Sequence, residues 1–177
     1  MTLPGDLSPA EAKARMIRVD HAGEYGARRI YEGQLAVLGG RPVGDTLRHM
    51  HAQELRHLET FERLVVERGV RPTLLHPVWH VLGFALGAAT ALMGEKAAMA
   101  CTVAVEEVID EHYARQSAAL GDEEPALKAV IEEFRAEELE HRDEALAQGA
   151  EGAPAYPLLR GAIRAGSKAA IWLSERL

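Results

Sequence analysis

Two glutamates and a histidine occur twice in this chain at matching intervals. Glu24 is followed about thirty residues later by Glu54-Leu55-Arg56-His57, and Glu106 is followed about thirty residues later by Glu138-Leu139-Glu140-His141. The two copies are offset by about 82 residues. Helix positions three apart lie on one face, about 60° apart around the axis, so Glu-x-x-His projects both side chains inward together. One glutamate from each of two helices, with Glu-x-x-His from each of two others, is the ligand geometry of carboxylate bundles that hold two metal ions. The pattern therefore asks for four helices meeting around one axis, with Glu24, Glu54, His57, Glu106, Glu138 and His141 pointing inward. Each metal would take one histidine, one terminal glutamate and two shared glutamates.

Electrostatics supports metal ions at this site. Carboxylates side by side in low dielectric repel, and burying each one costs on the order of several kcal/mol. Two divalent cations offset four such charges. The flanking residues are apolar: Val103, Val105, Val108 and Ile109 around Glu106, and Leu47, Met50, Leu58 and Phe61 around Glu54. One Glu-x-x-His alone is an ordinary solvated pattern, whereas two copies, each trailing a glutamate in an apolar helix, are not. Oxygen and nitrogen ligands without thiolate favour iron or manganese over zinc. Ligand type alone leaves those two open, and iron is suited to oxygen chemistry.

Helix punctuation places the six residues. Ser8-Pro9-Ala10-Glu11 reads as a capping box with Pro at the first helical position, opening a helix that runs to about Leu38 and stops at Gly39-Gly40. A second helix is predicted from Asp45 to about Arg68, a third from Glu95 to about Leu120, a fourth from Pro125 to about Gln148, and a last one over 158–176. Apolar residues make up 47% of the chain, much of it Ala, Leu and Val without period-two alternation, which favours an all-α fold. Short loops make each consecutive pair antiparallel. The expectation is one domain, 1–177, with a four-helix core. Gly23 and Gly26 interrupt the first helix beside Glu24 and would let another helix or a substrate come close.

Residues 72–94 contain no Asp, Glu, Lys or Arg. Their length approaches that of a membrane span, but three glycines, Pro72, Pro77 and two histidines argue against a plain spanning helix. An odd span would also split the site across the bilayer. The segment is expected to dip into a membrane interface, with a buried core helix as the alternative, and with Trp79 anchored at the headgroups between His76 and His80. In the last helix (154–177 with its lead-in), Arg160, Arg164 and Lys168 recur every four residues, facing either anionic lipid or water.

The net charge of −7 and the lack of a Lys/Arg block exclude a nucleic-acid partner. A single cysteine, Cys101, rules out an internal disulfide and reads as a packing residue. Met1–Asp6 show neither a secretory signal nor an Arg-rich transit peptide.

Arg18-Val19-Asp20-His21-Ala22-Gly23-Glu24-Tyr25-Gly26-Ala27, Arg71-Pro72-Thr73, Gly83-Phe84-Ala85-Leu86-Gly87, Ala98 through Glu107, and Leu173-Ser174-Glu175-Arg176-Leu177 together resemble the demethoxyubiquinone hydroxylases of ubiquinone biosynthesis. The resemblance runs from about residue 14 to the end, and the family's ligands fall on the same six positions. It implies a ferritin-like bundle holding two Fe ions per chain and hydroxylating a demethoxyubiquinol ring, with O2 as co-substrate and NADH or a reductase as electron source. The chain has no Gly-x-Gly-x-x-Gly fingerprint, so NADH would bind differently and pass electrons through the quinone itself. The implied partners are a polyprenyl quinone, a membrane surface, a helper protein that delivers substrate, and further copies of the chain as a homo-oligomer. Lacking a transit peptide, the chain is expected on the cytoplasmic face of a bacterial inner membrane.

Tyr113, seven residues after Glu106, and His112 are the candidate catalytic residues, in the substrate channel or beside the metals. Asp20, Asp110 and Asp143 are candidate partners for the ligand histidines' second N–H. Glu107, Glu137 and Glu140 read as solvated, and His21, His49 and His51 as non-ligands. The rival functions are a ferritin-like ferroxidase and a peroxide-reducing di-metal protein such as a manganese catalase. A rubrerythrin-type cysteine module is excluded by the single cysteine, and the apolar segment fits none of these rivals well.

Overall fold

The computed structural model describes residues 7–177. Among the described residues it is entirely helical: α1 Pro9–Leu38, α2 Gly44–Glu67, α3 His76–Leu92, α4 Glu95–Leu120, α5 Pro125–Ala147 and α6 Tyr156–Ser174, with a short 3-10 turn at Ala150–Gly152. The expected start of the domain at Met1–Asp6 lies outside the described residues. The capping box forms as anticipated: Glu11 N–H donates to Ser8 Oγ (3.3 Å), and Glu11 Oε2 accepts from Ser8 N–H (2.8 Å). Predicted helix ends agree within a few residues.

α1 pairs with α2 and α4 with α5. Two apolar clusters fill the bundle. One is built around Leu47, Met50, Met99 and Val103, the other around Phe61, Ile131, Phe134 and Leu120. Along each of the four helices the ligand-type residues fall between these clusters.

The segment expected as an interfacial insert is a full helix, α3, laid along α1. Gly33 on α1 and Gly87 on α3 make the close approach, because a Cβ on Gly33 would collide with the Phe84 carbonyl and one on Gly87 with the Ile30 carbonyl. Gly83 adds a third contact, where a Cβ would come within 2.9 Å of the Gly26 carbonyl. The opposite face of α3 is apolar and exposed, including Val78, Val81, Leu82 and Leu92. The segment is therefore not the wholly buried core helix given as the alternative: one face is packed and the other is bare. Trp79 is half-buried, and its indole N–H donates to Ser174 Oγ on α6 (3.0 Å), so its polar end is engaged within the protein. Gly94, at φ +116°, makes the tight turn into α4, a conformation that L side chains rarely adopt.

α6 packs on α4 as α3 packs on α1, so each half is a three-helix unit. The basic stripe of α6 faces α4: Arg160 and Arg164 pair with Glu107, and Arg164 and Lys168 with Glu111. These pairs correct the readings of the stripe as facing lipid or water and of Glu107 as merely solvated. The helix exposes apolar residues elsewhere, Leu158 and Trp172 among them.

The glycines give a direct test. Gly87→Ala should destabilise the fold by about 2 kcal/mol through overpacking against the α1 backbone. Gly23→Ala, where an added Cβ meets nothing within 4 Å, should stabilise it by up to about 1 kcal/mol. Urea midpoints of the two variants would show the opposite signs.

Candidate metal centre

The bundle brings all six ligand-type residues together, none more than 2% exposed. Glu24, Glu54, His57 and Glu138 form one set, and Glu54, Glu106, Glu138 and His141 a second; within each set one atom per residue lies within 4.8 Å of the others. Glu54 and Glu138 are common to both sets. This is the arrangement that the doubled Glu-x-x-His motif predicts.

The donor set fits a pair of divalent cations. Glu24 Oε2, both oxygens of Glu54 and Glu106 Oε2 are buried without a hydrogen-bond partner. Such oxygens are costly to bury unless something positive meets them. The two histidines point the same way, each turning Nδ1 to the carboxylates. His57 Nδ1 lies 3.1 Å from Glu138 Oε1, and His141 Nδ1 lies 3.2 Å from Glu138 Oε2.

The surroundings repeat with the motif. Tyr31, seven residues after Glu24, donates its hydroxyl to Glu106 Oε1 (2.9 Å), and Tyr113, seven residues after Glu106, donates to Glu24 Oε1. Each half thus fixes the other half's singleton glutamate. The residue preceding each shared glutamate meets the other half's histidine: Glu137 Oε2 lies 2.7 Å from His57 Nε2, and Gln53 Oε1 lies 3.0 Å from His141 Nε2. Arg56 pairs in turn with Glu137, and Phe134 stacks on the His57 ring at 3.9 Å between centroids.

Protons fill the cluster when no cation does. Burial, then the Glu138 charge, pushes Glu54 and Glu106 well above the usual carboxylate range. Burial acts the same way on Glu138, but the hydrogen bonds from His141 and His57 prevail and hold it low. Burial disfavours the imidazolium form, yet the bond to Glu138 raises both His57 and His141.

A cavity of about 450 Å³ reaches the cluster from one side, between α1, α3, α4 and α6. Glu24, Tyr113, His112 and Asp20 line its inner end, and the exposed Leu82 and Ala85 of α3 and Gly166 of α6 its outer end. Gly23 and Gly26 also line it, and a Cβ on either would meet nothing within 4 Å. The mid-helix glycines of α1 therefore leave space beside Glu24.

The model of the family described as ubiquinone biosynthesis protein COQ7 matches residues 11–174. This chain belongs to the COQ7 family. A 3-demethoxyubiquinol 3-hydroxylase of Rhodospirillum rubrum is 64% identical over 176 residues, covering 99% of this chain and 83% of its own length. The human protein named NADPH-dependent 3-demethoxyubiquinone 3-hydroxylase, mitochondrial, is 57% identical over 167 residues (92% of this chain, 77% of its own). The 5-demethoxyubiquinone hydroxylase, mitochondrial, of Saccharomyces cerevisiae is 41% identical over 191 residues (97% and 82%).

Within this COQ7 chain, Tyr113 touches a ligand-type residue and His112 faces the cavity. The aspartates expected behind the histidines are engaged elsewhere: Asp110 with Arg135 (2.7 Å), Asp143 with Arg142 (2.7 Å), and Asp20 with His112 and Gln116. Glu137, read as solvated, is a histidine partner. Tyr31, Gln53 and Gln116 escaped the sequence reading. The first was recoverable by carrying Tyr113 back across the 82-residue offset; Gln53 was not, because its counterpart Glu137 reads as solvated in the sequence.

Divalent ions can bind only after the added protons leave, so affinity should rise with pH. Titrating the metal-free protein with ferrous iron in buffers of different ionisation enthalpy should show net proton release. Binding between pH 6 and 8 should tighten as pH increases. A proton-neutral, pH-independent titration would contradict the site.

Proposed function

We propose that this COQ7 protein is an O2-dependent hydroxylase of a demethoxyubiquinol ring, acting as a single domain with two iron ions held by Glu24, Glu54, His57, Glu106, Glu138 and His141. The cavity carries the proposal. It is an apolar chamber of ring-holding size whose inner wall includes Glu24, so a hydrophobic ring seated there meets the cluster in a dry setting. The names of the relatives supply the reaction. Bound at this cluster, iron would supply the dioxygen activation that no side chain here can perform.

The chain's own residues perform the remaining tasks. Tyr31 and Tyr113 hold Glu106 and Glu24 in place through one oxygen each and leave the second oxygen free. Burial, then the Glu24 charge, raises the Tyr113 hydroxyl well above its usual range, so it stays a phenol and a donor beside the ring. Glu137 and Gln53 occupy the Nε2 atoms and fix both imidazoles with Nδ1 inward. His112 lies on the cavity wall within reach of a bound ring.

The electron source is a nicotinamide. The human relative's name specifies NADPH, where the family resemblance alone implies NADH or a reductase. The protein works at a membrane surface, the cytoplasmic face of a bacterial inner membrane. Supporting a membrane surface, the exposed apolar faces of α3 and α6 flank the outer end of the cavity. A polyprenyl tail would remain in lipid while the ring enters between the two helices.

Ferrous-loaded protein given a demethoxyubiquinol, NADPH and oxygen should yield a product heavier by one oxygen atom by mass spectrometry, and Glu138→Ala should abolish it. Two irons bound per chain with no quinone product would shift the assignment to ferroxidase or peroxide chemistry. Replacing Val81 and Leu82 by Asp should weaken flotation with anionic liposomes by about a hundredfold or more, given roughly 1.5–3 kcal/mol for each of the two apolar side chains.

A further inference from the structure

The chain carries a net charge of −7, so an anionic surface repels it as a whole. One corner is an exception. Where the N-terminal half of α1, the connection 68–75 and the end of α6 meet, four arginines gather. Arg15, Arg18 and Arg176 line a basin of about 390 Å³, and Arg18 Nε donates to the carbonyl of Arg71 at 2.8 Å. Two carboxylates share the basin wall, Glu11 and Glu175. Glu11 is engaged in the capping box of α1. Glu175 pairs with Arg176 at 3.1 Å, and among the described residues Arg15, Arg18 and Arg71 form no ion pair with a side-chain carboxylate.

Main-chain oxygens, rather than acids, hold these side chains in place. Arg71 Nη2 donates to the Leu177 main-chain oxygen at 3.1 Å, and Arg176 Nη1 to the Trp172 carbonyl at 2.7 Å, with its guanidinium over the Trp172 ring. Each bond occupies one nitrogen of a rigid fork that carries several N–H donors. Burial, then the Arg71 and Arg15 charges, lowers Arg18 below its usual range, as expected of like charges gathered together. The neighbours are apolar and bare. Leu7, Leu74 and Trp172 are exposed, and Leu74 N–H donates to the same Leu177 oxygen that Arg71 reaches. Ser174, two residues before Arg176, lines the large cavity beside Trp79.

We propose that Arg15, Arg18, Arg71 and Arg176 form a site for the headgroup phosphate of an anionic membrane phospholipid, with Leu74 and Trp172 entering the acyl boundary beside it. The proposal rests on the membrane reading given above and adds to it the lipid class and the residues that select it. Guanidinium forks match phosphate oxygens in geometry and charge. A soluble phosphate would use the arginines and leave the apolar residues in water, whereas an interfacial lipid uses both. In a chain that an anionic surface otherwise repels, this corner is the part that such a surface attracts. Its capture would hold the end of α6 that borders the cavity at headgroup depth.

The test is flotation of the full chain with liposomes of phosphatidylcholine alone, or of phosphatidylcholine mixed with phosphatidylglycerol. The mixed vesicles should bind more tightly. Arg15→Gln with Arg18→Gln should weaken binding to them by about twenty-five-fold, roughly fivefold per arginine, and leave binding to phosphatidylcholine within about twofold. Arg71→Gln alone should cost about fivefold, an independent variant should the pair fail to fold. Arg41→Gln with Arg63→Gln removes the same charge beyond the far end of α1 and on α2, and should cost less than about twofold. The soluble source of the same chemistry is the pyrophosphate of NADPH. In a lipid-free titration the Arg15 and Arg18 pair of substitutions should leave NADPH affinity unchanged. Loss of NADPH affinity with vesicle binding intact would give the site to the dinucleotide and overturn the proposal. Equal weakening by the Arg41 and Arg63 pair would overturn it as well. Flotation with both vesicles alike would remove the arginine site and keep the membrane reading, whereas flotation with neither would remove both.

Discussion

Glu24, Glu54, Glu106 and Glu138 are packed against one another at the centre of an apolar bundle, and the surrounding structure answers that electrostatic conflict. Glu138, flanked by both imidazoles, is held ionised, while Glu54 and Glu106 are driven toward their neutral forms. Glu24 Oε2, both Glu54 oxygens and Glu106 Oε2 remain without a hydrogen-bond partner. Tyr31, Tyr113, Gln53 and Glu137 then spend their polar groups on orientation, so the cluster cannot relax by rotating its members apart. The apolar clusters above and below exclude the water that would otherwise screen the charges.

The twofold repeat organises more than the ligands. It governs the tyrosines, the residues behind the histidines and the third helix of each half. The copies differ where the cavity lies. Asp20 and His112 line it, one from each half, whereas of the equivalent positions Thr102 lies outside the lining and Ile30 is an apolar part of it.

Much of this was legible in the sequence, for reasons that differ from residue to residue. The four core helices follow from caps, breakers and heavy Ala and Leu usage, and the six ligand-type residues from spacing, because helical periodicity converts sequence intervals into directions. The partners of the histidines were not legible. Asp110 and Asp143 look suitable on chemistry alone, but which side chain reaches an imidazole depends on how α2 and α5 face each other, and Arg135 and Arg142 claim both aspartates. The basic stripe of α6 shows the same limit: charge and periodicity reveal a face, not what lies opposite, and here Glu107 and Glu111 lie opposite. Uncharged residues 72–94 signalled something unusual without saying that glycine contacts would bind one face to α1 and leave the other bare.

The cavity's two outer walls are attached by unlike means. α3 meets α1 nearly backbone to backbone through Gly33, Gly83 and Gly87, a contact with no side chain to swing aside. α6 buries only Ile163 and Ser174 and is tied to α4 by partly exposed ion pairs, each worth about 1 kcal/mol or less and weakened by salt. Mechanically, α3 is a fixed jamb and α6 a sprung door. A bulky ring passing between them would displace α6, while the helix that carries Glu24 keeps its place.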